Sequence, residues 1–202
     1  MTVMQIITPN ADFAELASDE RIARTLAALG PRGITAEVVE TGAAARARVL
    51  ELLPLGAEVF TSLSETLAET GLAAEINESG RYNAIRPKLA KLDRTTQRRE
   101  MKKLAAAPDF VVGSVAAITE DGQVMVASGS GSQIGHYTYE AGKVILVAGV
   151  QKIVRDATGR LPLPRRAPSP GGYTSLRAAE RTPATRDLDT KPYSRRTTTL
   201  TF

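Results

Sequence analysis

Three stretches of this 202-residue chain bring together residue types that can hold an anion. The first is SGSGSQ: Ser128, Gly129, Ser130, Gly131, Ser132 and Gln133. It follows a strand-like apolar run and precedes a stretch of helical character. A glycine-rich turn in that place can aim backbone N–H groups at a phosphate or carboxylate. It can equally be a connection whose glycines supply positive φ. No Gly-Lys-Ser/Thr follows, so it is not a P-loop. The second is TSLSE (Thr61–Glu65), where Ser62, Ser64 and the following Thr66 offer hydroxyls at the start of a helix. Ser62 or Ser64 is also expected simply to cap that helix. The third is GVQKIV, in which Lys152 lies just past a buried strand. Its ammonium either reaches an anion in the same crevice or stands in solvent.

Other chemistry is thinly supplied. His136 is the only histidine and the chain has no Cys. Thiolate catalysis and a disulfide framework are therefore excluded, and no metal site is expected. No G-x-S-x-G elbow accompanies the histidine as a serine hydrolase would require. Arg98, Arg99, Lys102 and Lys103 are like charges at i, i+4 spacing. They would meet a phosphate-bearing ligand or an acidic partner, or form a solvated face with Glu100.

The elements that must position these groups alternate between strands and helices. Asp19–Leu29 reads as a helix capped by Ser18 or Asp19, with Ile22, Leu26 and Leu29 on one face and Gly30-Pro31 as the stop. Residues 34–39 and 57–60 read as strands, separated by an Ala-rich helix over residues 42–53. A helix follows the serine turn to Glu69, and another spans residues 72–76. The stretch ESGRYNAIRPKLAKLDR is polar and broken by Pro87, and reads as a surface excursion with one helical turn near Lys88. Residues 95–106 form a helix capped by Asp93 or Thr95, and DFVVG (109–113) is an apolar strand. Asp121-Gly122 between two apolar runs predicts a hairpin. Residues 133–140 read as a helix, KVILVA (143–148) as a buried strand, and residues 150–154 as its extension. This alternation predicts an α/β layered domain with a mostly parallel sheet.

Charge divides the chain. From Ala157 onward nine basic residues face three acids, whereas residues 1–156 carry 17 basic against 19 acidic residues. The overall excess of +4 therefore belongs to the tail, and the body shows no footprint for nucleic acid. No run is long and apolar enough to span a bilayer, and the first residues do not read as a secretion signal, so a cytoplasmic protein without membrane contact is expected. The expected organisation is a domain over 1–156 and a Pro/Arg/Thr-rich tail over 157–202. The tail has no Ile, Val or Met and is expected to be disordered or irregular. Its abrupt composition is also what an out-of-frame reading of a GC-rich gene would give.

TSLSETLAETGL (61–72), APDFVVGSVAAITEDGQVMVASGSGSQ (107–133) and VILVAGVQKIV (144–154) together resemble the lactate-utilization (LUD) domain family. RYNAIRPKLAKLDRTTQRREMKKL is similar to a subgroup of small stand-alone members. The resemblance covers roughly residues 13–154. It implies a three-layer, Rossmann-like fold of the NagB/RpiA/CoA-transferase type, with an antiparallel hairpin. It adds the turn after DFVVG, Gly113 and Ser114, to the crevice residues. It further implies an accessory or ligand-binding role in lactate or organic-acid utilization. The expected ligand is a small anion, with CoA, a nucleotide or a sugar phosphate as the classes to consider. Partner subunits of an organic-acid oxidizing system and a homo-oligomer both remain open. Without Cys, this chain would join an iron–sulfur system only as a companion subunit. CoA transferases of this fold carry a nucleophilic glutamate in Ser-Glu-x-Gly. Glu120 in TEDGQ is similarly followed by x-Gly, although Thr119 stands in place of Ser. That resemblance would make Glu120 catalytic in acyl transfer or sugar-phosphate isomerisation. The turn itself needs no such role, and a non-catalytic assembly subunit is the remaining alternative.

Overall fold

A computed structural model describes residues 16–128, 131–157, 174–176 and 197–201 of the protein. Helix α1 (Asp19–Leu29) starts at Ser18, whose side chain accepts from the Arg21 amide, and is followed by a short turn over Gly30–Arg32. Then come β1 (Thr35–Val39), α2 (Gly42–Leu52), β2 (Glu58–Thr61), α3 (Glu65–Glu69) and α4 (Leu72–Glu78). The middle of the chain forms β3 (Asn83–Ala84), α5 (Ile85–Ala90) and α6 (Arg98–Ala105). Strand β4 (Phe110–Gly113) leads into the hairpin β5 (Ala117–Thr119) and β6 (Val124–Ser128). After α7 (Ser132–Gly135) and a π-helical turn over His136–Glu140 come β7 (Lys143–Gly149) and β8 (Ile153–Val154). Two further strands, β9 (Thr174–Leu176) and β10 (Thr197–Thr201), complete the described chain.

The larger sheet has the order β1-β10-β7-β4-β2-β3. Strands β7, β4, β2 and β3 are parallel to one another, in register Val112↔Ile145 and Thr61↔Val112. Both faces of this parallel block are covered, and side chains alternate between them. Ile145 and Val147 face Val49, Leu67, Leu72 and Ile76 of the α2–α4 layer. Val144, Leu146 and Ala148 face Leu29, Val115 and Ile118. Phe60 and Val111 pack with Ile85 and with Leu104 and Ala105 of α6. These three layers give the α/β, Rossmann-like architecture expected from the alternating pattern. The hairpin belongs to a smaller mixed sheet of order β8-β5-β6-β9. Its Gly122 has φ +84°, and a Cβ there would lie 2.5 Å from the Ala28 carbonyl oxygen. Only glycine lets the turn sit against the end of α1.

The structure departs from the sequence reading in three places. Residues 150–154 do not extend β7. A 3-10 turn over Val150–Lys152 carries the chain to the second sheet, where Ile153 pairs with Ile118. Val150 and Ile153 are buried against Ala17 and Ile22, so one apolar run serves two sheets. The polar middle is not simply a surface excursion either. Tyr82, Ala84 and Ile85 are buried, and β3 adds an edge strand beside β2. Lastly, two pieces of the C-terminal tail are sheet. Strand β10 lies antiparallel between β1 and β7, and β9 pairs with β6. The remainder of residues 158–202, on which the expectations of disorder or an altered frame mostly rest, lies outside the described residues.

Candidate functional site

The parallel strands β2, β4 and β7 end on the same side of the sheet, and each is followed within three residues by a polar one. In an open α/β sheet this is where ligands bind. Ser62 follows β2, Ser114 follows β4, and Lys152 closes the turn after β7. The Lys152 ammonium donates to Thr66 Oγ1 and to Ser114 Oγ, both at 3.1 Å. Ser114 Oγ lies 3.3 Å from Thr66 Oγ1 and closes the triangle. Thr66 is fully buried in the first turn of α3, whereas Ser114 and Lys152 are half-buried. A cation beside two hydroxyls at the ends of the parallel strands can donate to a small tetrahedral anion.

The opposite wall is built around Gly113. A Cβ at that position would lie 1.9 Å from Tyr137 Oη and 2.9 Å from Ser62 Oγ. The absence of a side chain is what lets the tyrosine enter. Tyr137 donates to the Ser114 carbonyl at 3.3 Å. Burial raises its hydroxyl pKa, partly offset by Ser62, by the Ser114 backbone and by the nearby Arg86 charge. Ser62 Oγ itself is buried without a hydrogen bond of normal geometry. Arg86, near the start of α5, donates from Nε to the Thr61 carbonyl at 2.7 Å. Its guanidinium lies 5.2 Å from the Phe60 ring centroid. On that ring also rests His136, 4.4 Å away between centroids. His136 Nδ1 is 3.1 Å from Glu140 but lacks the alignment of a hydrogen bond.

Of the residues singled out in the sequence, Ser62, Thr66, Gly113, Ser114 and Lys152 are thus brought together. Ser64 stands at the N-terminus of α3 but makes no side-chain cap bond. Nor does Ser62 cap, because its hydroxyl points toward Tyr137 and Gly113 instead. The expected capping is therefore corrected at both positions. Gly131 takes φ +72° at the start of α7, and Gln133 Nε2 lies 3.5 Å from the Leu63 carbonyl. That contact lays the first turn of α7 beside the serine turn. Gly129, Ser130 and the side chain of Ser132 lie outside the described residues. Ser128 is buried at the end of β6, on the second sheet.

Glu120 is not among the crevice residues. Ser114 precedes β5 and Glu120 follows its last residue, so the two lie at opposite ends of that strand. Its carboxylate is held by Arg21 Nε at 2.6 Å and Arg24 Nη2 at 2.9 Å, both on α1. Arg86 and Tyr137 are the crevice residues that sequence reasoning passed over. The buried alternation around Tyr82 and Ile85 was the one signal that pointed to the first.

The fold and the crevice define an α/β protein with a polar, cation-bearing site at the carboxyl ends of its parallel strands. The LUD domain model matches residues 22–170, and the chain belongs to the LUD domain family. Membership associates it in general terms with lactate utilization. No curated protein and no solved structure matched. Among the described residues no helix is long and apolar enough to cross a membrane. Nor do three or more His, Asp or Glu side chains among them converge on a metal position.

Proposed function

We propose that this LUD protein binds a small anionic ligand, phosphate- or nucleotide-like, as an accessory component of lactate or related organic-acid utilization. The observation that carries the reading is the position of Lys152. Its ammonium is drawn back from solvent to within 3.1 Å of two hydroxyls at the ends of adjacent strands. A lysine side chain loses about 2 kcal/mol of rotamer freedom when fixed in this way. An anion placed against the same ammonium would add charge-assisted hydrogen bonds that offset this cost. The acyl-transfer reading gains no comparable support, because Glu120 is engaged in the α1 ion pairs.

A thermal-shift panel of inorganic phosphate, nucleotides, CoA and sugar phosphates tests this reading. At a hundredfold excess over Kd, a ligand adds about 2.7 kcal/mol. That is roughly 5–10 °C in Tm for a domain of this size. Lys152→Met should abolish the response. The reading fails if no phosphate-bearing compound raises Tm, or if the Lys152→Met variant responds as the wild type does.

A further inference from the structure

Arg86 is a charge without a counter-charge. Arg21, Arg24, Arg48 and Arg81 each hold a carboxylate within salt-bridge distance. Among the described residues Arg86 holds none, although it is half-buried. Its Nε is used by the Thr61 carbonyl. Its terminal amino groups donate no hydrogen bond among the described residues. The charge that bears most on it is another cation, Arg94. Burial first, and then Arg94, lower its pKa. A guanidinium withdrawn from water without an anion is costly to the fold, and its bond to the Thr61 carbonyl and its contact with Phe60 offset only part of that.

A second observation points the same way. Ser62 Oγ is buried beside the Tyr137 hydroxyl and makes no hydrogen bond of normal geometry. It belongs to the residue directly after the Thr61 carbonyl on which Arg86 is anchored. Across the sheet it faces Gly113 and Ser114, which lead to Lys152. Arg86 and Lys152 are thus both anchored at the carboxyl ends of the parallel strands. They are anchored within about two strand spacings of each other, on the order of 10 Å.

We infer that Arg86 is a second anion anchor, and that the ligand is a phosphorylated short-chain carboxylic acid or a close dianionic analogue. The phosphate-like head sits on the Lys152–Thr66–Ser114 triangle, and the planar carboxylate lies against the Arg86 guanidinium. The division follows from the donors. A lysine with two hydroxyls is a compact charge with adjustable donors, which suits a tetrahedral group. An arginine held over an aromatic ring presents a fixed planar fork, which matches a carboxylate with two parallel hydrogen bonds. The spacing of the two anchors, on the order of two strand spacings, suits a short carbon chain between the heads. The inference rests on the anion-binding reading of Lys152 and extends it.

Titration calorimetry on the full chain with phosphonoacetate, inorganic phosphate and acetate tests it. Phosphonoacetate carries both heads, and the other two carry one each. The wild type should bind phosphonoacetate at least about tenfold tighter than phosphate. Arg86→Gln should weaken phosphonoacetate about ten- to a hundredfold, down to the level of phosphate, and leave phosphate unchanged. Lys152→Met should lose both. If Arg86→Gln binds phosphonoacetate as tightly as the wild type, the second anchor is refuted while the Lys152 reading stands. If Lys152→Met keeps phosphate affinity, the Lys152 reading falls and this inference with it. Should Arg86→Gln fail to fold, Arg86→Lys keeps the charge and removes the planar fork. It should still lose about tenfold on phosphonoacetate, and wild-type affinity there overturns the inference equally.

Discussion

Substituting Gly113 by alanine tests the architecture of the crevice most directly. Gly113 ends β4 and pairs with Leu146 of β7, so the backbone there is fixed by the sheet. The new methyl would meet Tyr137 Oη at 1.9 Å, Tyr137 Cζ at 2.7 Å and Ser62 Oγ at 2.9 Å. Contacts that short force one neighbour to move. The tyrosine is the mobile one, but moving it breaks its bond to the Ser114 carbonyl and its packing beside Phe60 and Val111. Overpacking of this kind costs about 1–3 kcal/mol. At about 2–4 °C per kcal/mol for a domain of this size, the expected fall in Tm is roughly 2–12 °C. Differential scanning calorimetry measures it, with circular dichroism to confirm that the fold persists. The strain should be shared with Tyr137. Tyr137→Phe removes the 1.9 Å contact but leaves the ring carbon at 2.7 Å. The double variant Gly113→Ala/Tyr137→Phe should therefore recover part of the loss, with a coupling of about 0.5–3 kcal/mol. A Gly113→Ala Tm within about 1 °C of the wild type, or additive single effects, would refute the account of this wall.

Three more outcomes follow from the same structure. Glu120→Gln leaves Arg21 and Arg24 without their carboxylate, and the Glu120 side chain is 16% exposed. Allowing for screening at the more open Arg24, the variant should lose about 1–3 kcal/mol in chemical denaturation. Its phosphate-induced thermal shift should match that of the wild type, and loss of that shift would return Glu120 to the site. Tyr137 has its pKa raised above the ordinary value of 10.0, chiefly by burial. The folded state thus holds this proton more tightly than the unfolded chain does. The resulting stabilisation is complete below about pH 10 and is lost as pH rises through the folded pKa. Tyr137→Phe has no such dependence, so its Tm deficit should narrow above pH 10, and a constant deficit from pH 8 to 11 would contradict this. Ending the chain after Asp156 removes β10 from between β1 and β7. Tm should fall steeply, and an unchanged Tm would show that the strand contributes nothing.

What the sequence disclosed was what local signals determine. Ser18 before a 3.6-residue repeat, Asp-Gly between apolar runs, and DFVVG after Pro108 each name an element without reference to anything distant. Ser62, Thr66 and Lys152 were legible because strand ends in an α/β sheet are where polar groups gather, and Ser114 only through the family resemblance. Arg86 was not, for a reason of scale. Charge taken over residues 1–156 nearly cancels, yet residues 81–103 carry nine basic residues against two acids. Averaging hid the segment from which the second cation of the crevice comes. Its proline and polar residues then marked it as surface, against the quieter alternation of Tyr82, Ala84 and Ile85. Glu120 shows the opposite effect. A dipeptide-scale likeness marked it, while its environment is set by β5 pairing with β8 and by α1 packing across both, contacts that lie 99 residues apart in sequence. The tail shows the same limit. TTTLT is four threonines around one leucine, a β-branched run that suits a strand. The absence of Ile and Val concealed it, because hydrophobicity and β-propensity are separate properties that threonine divides.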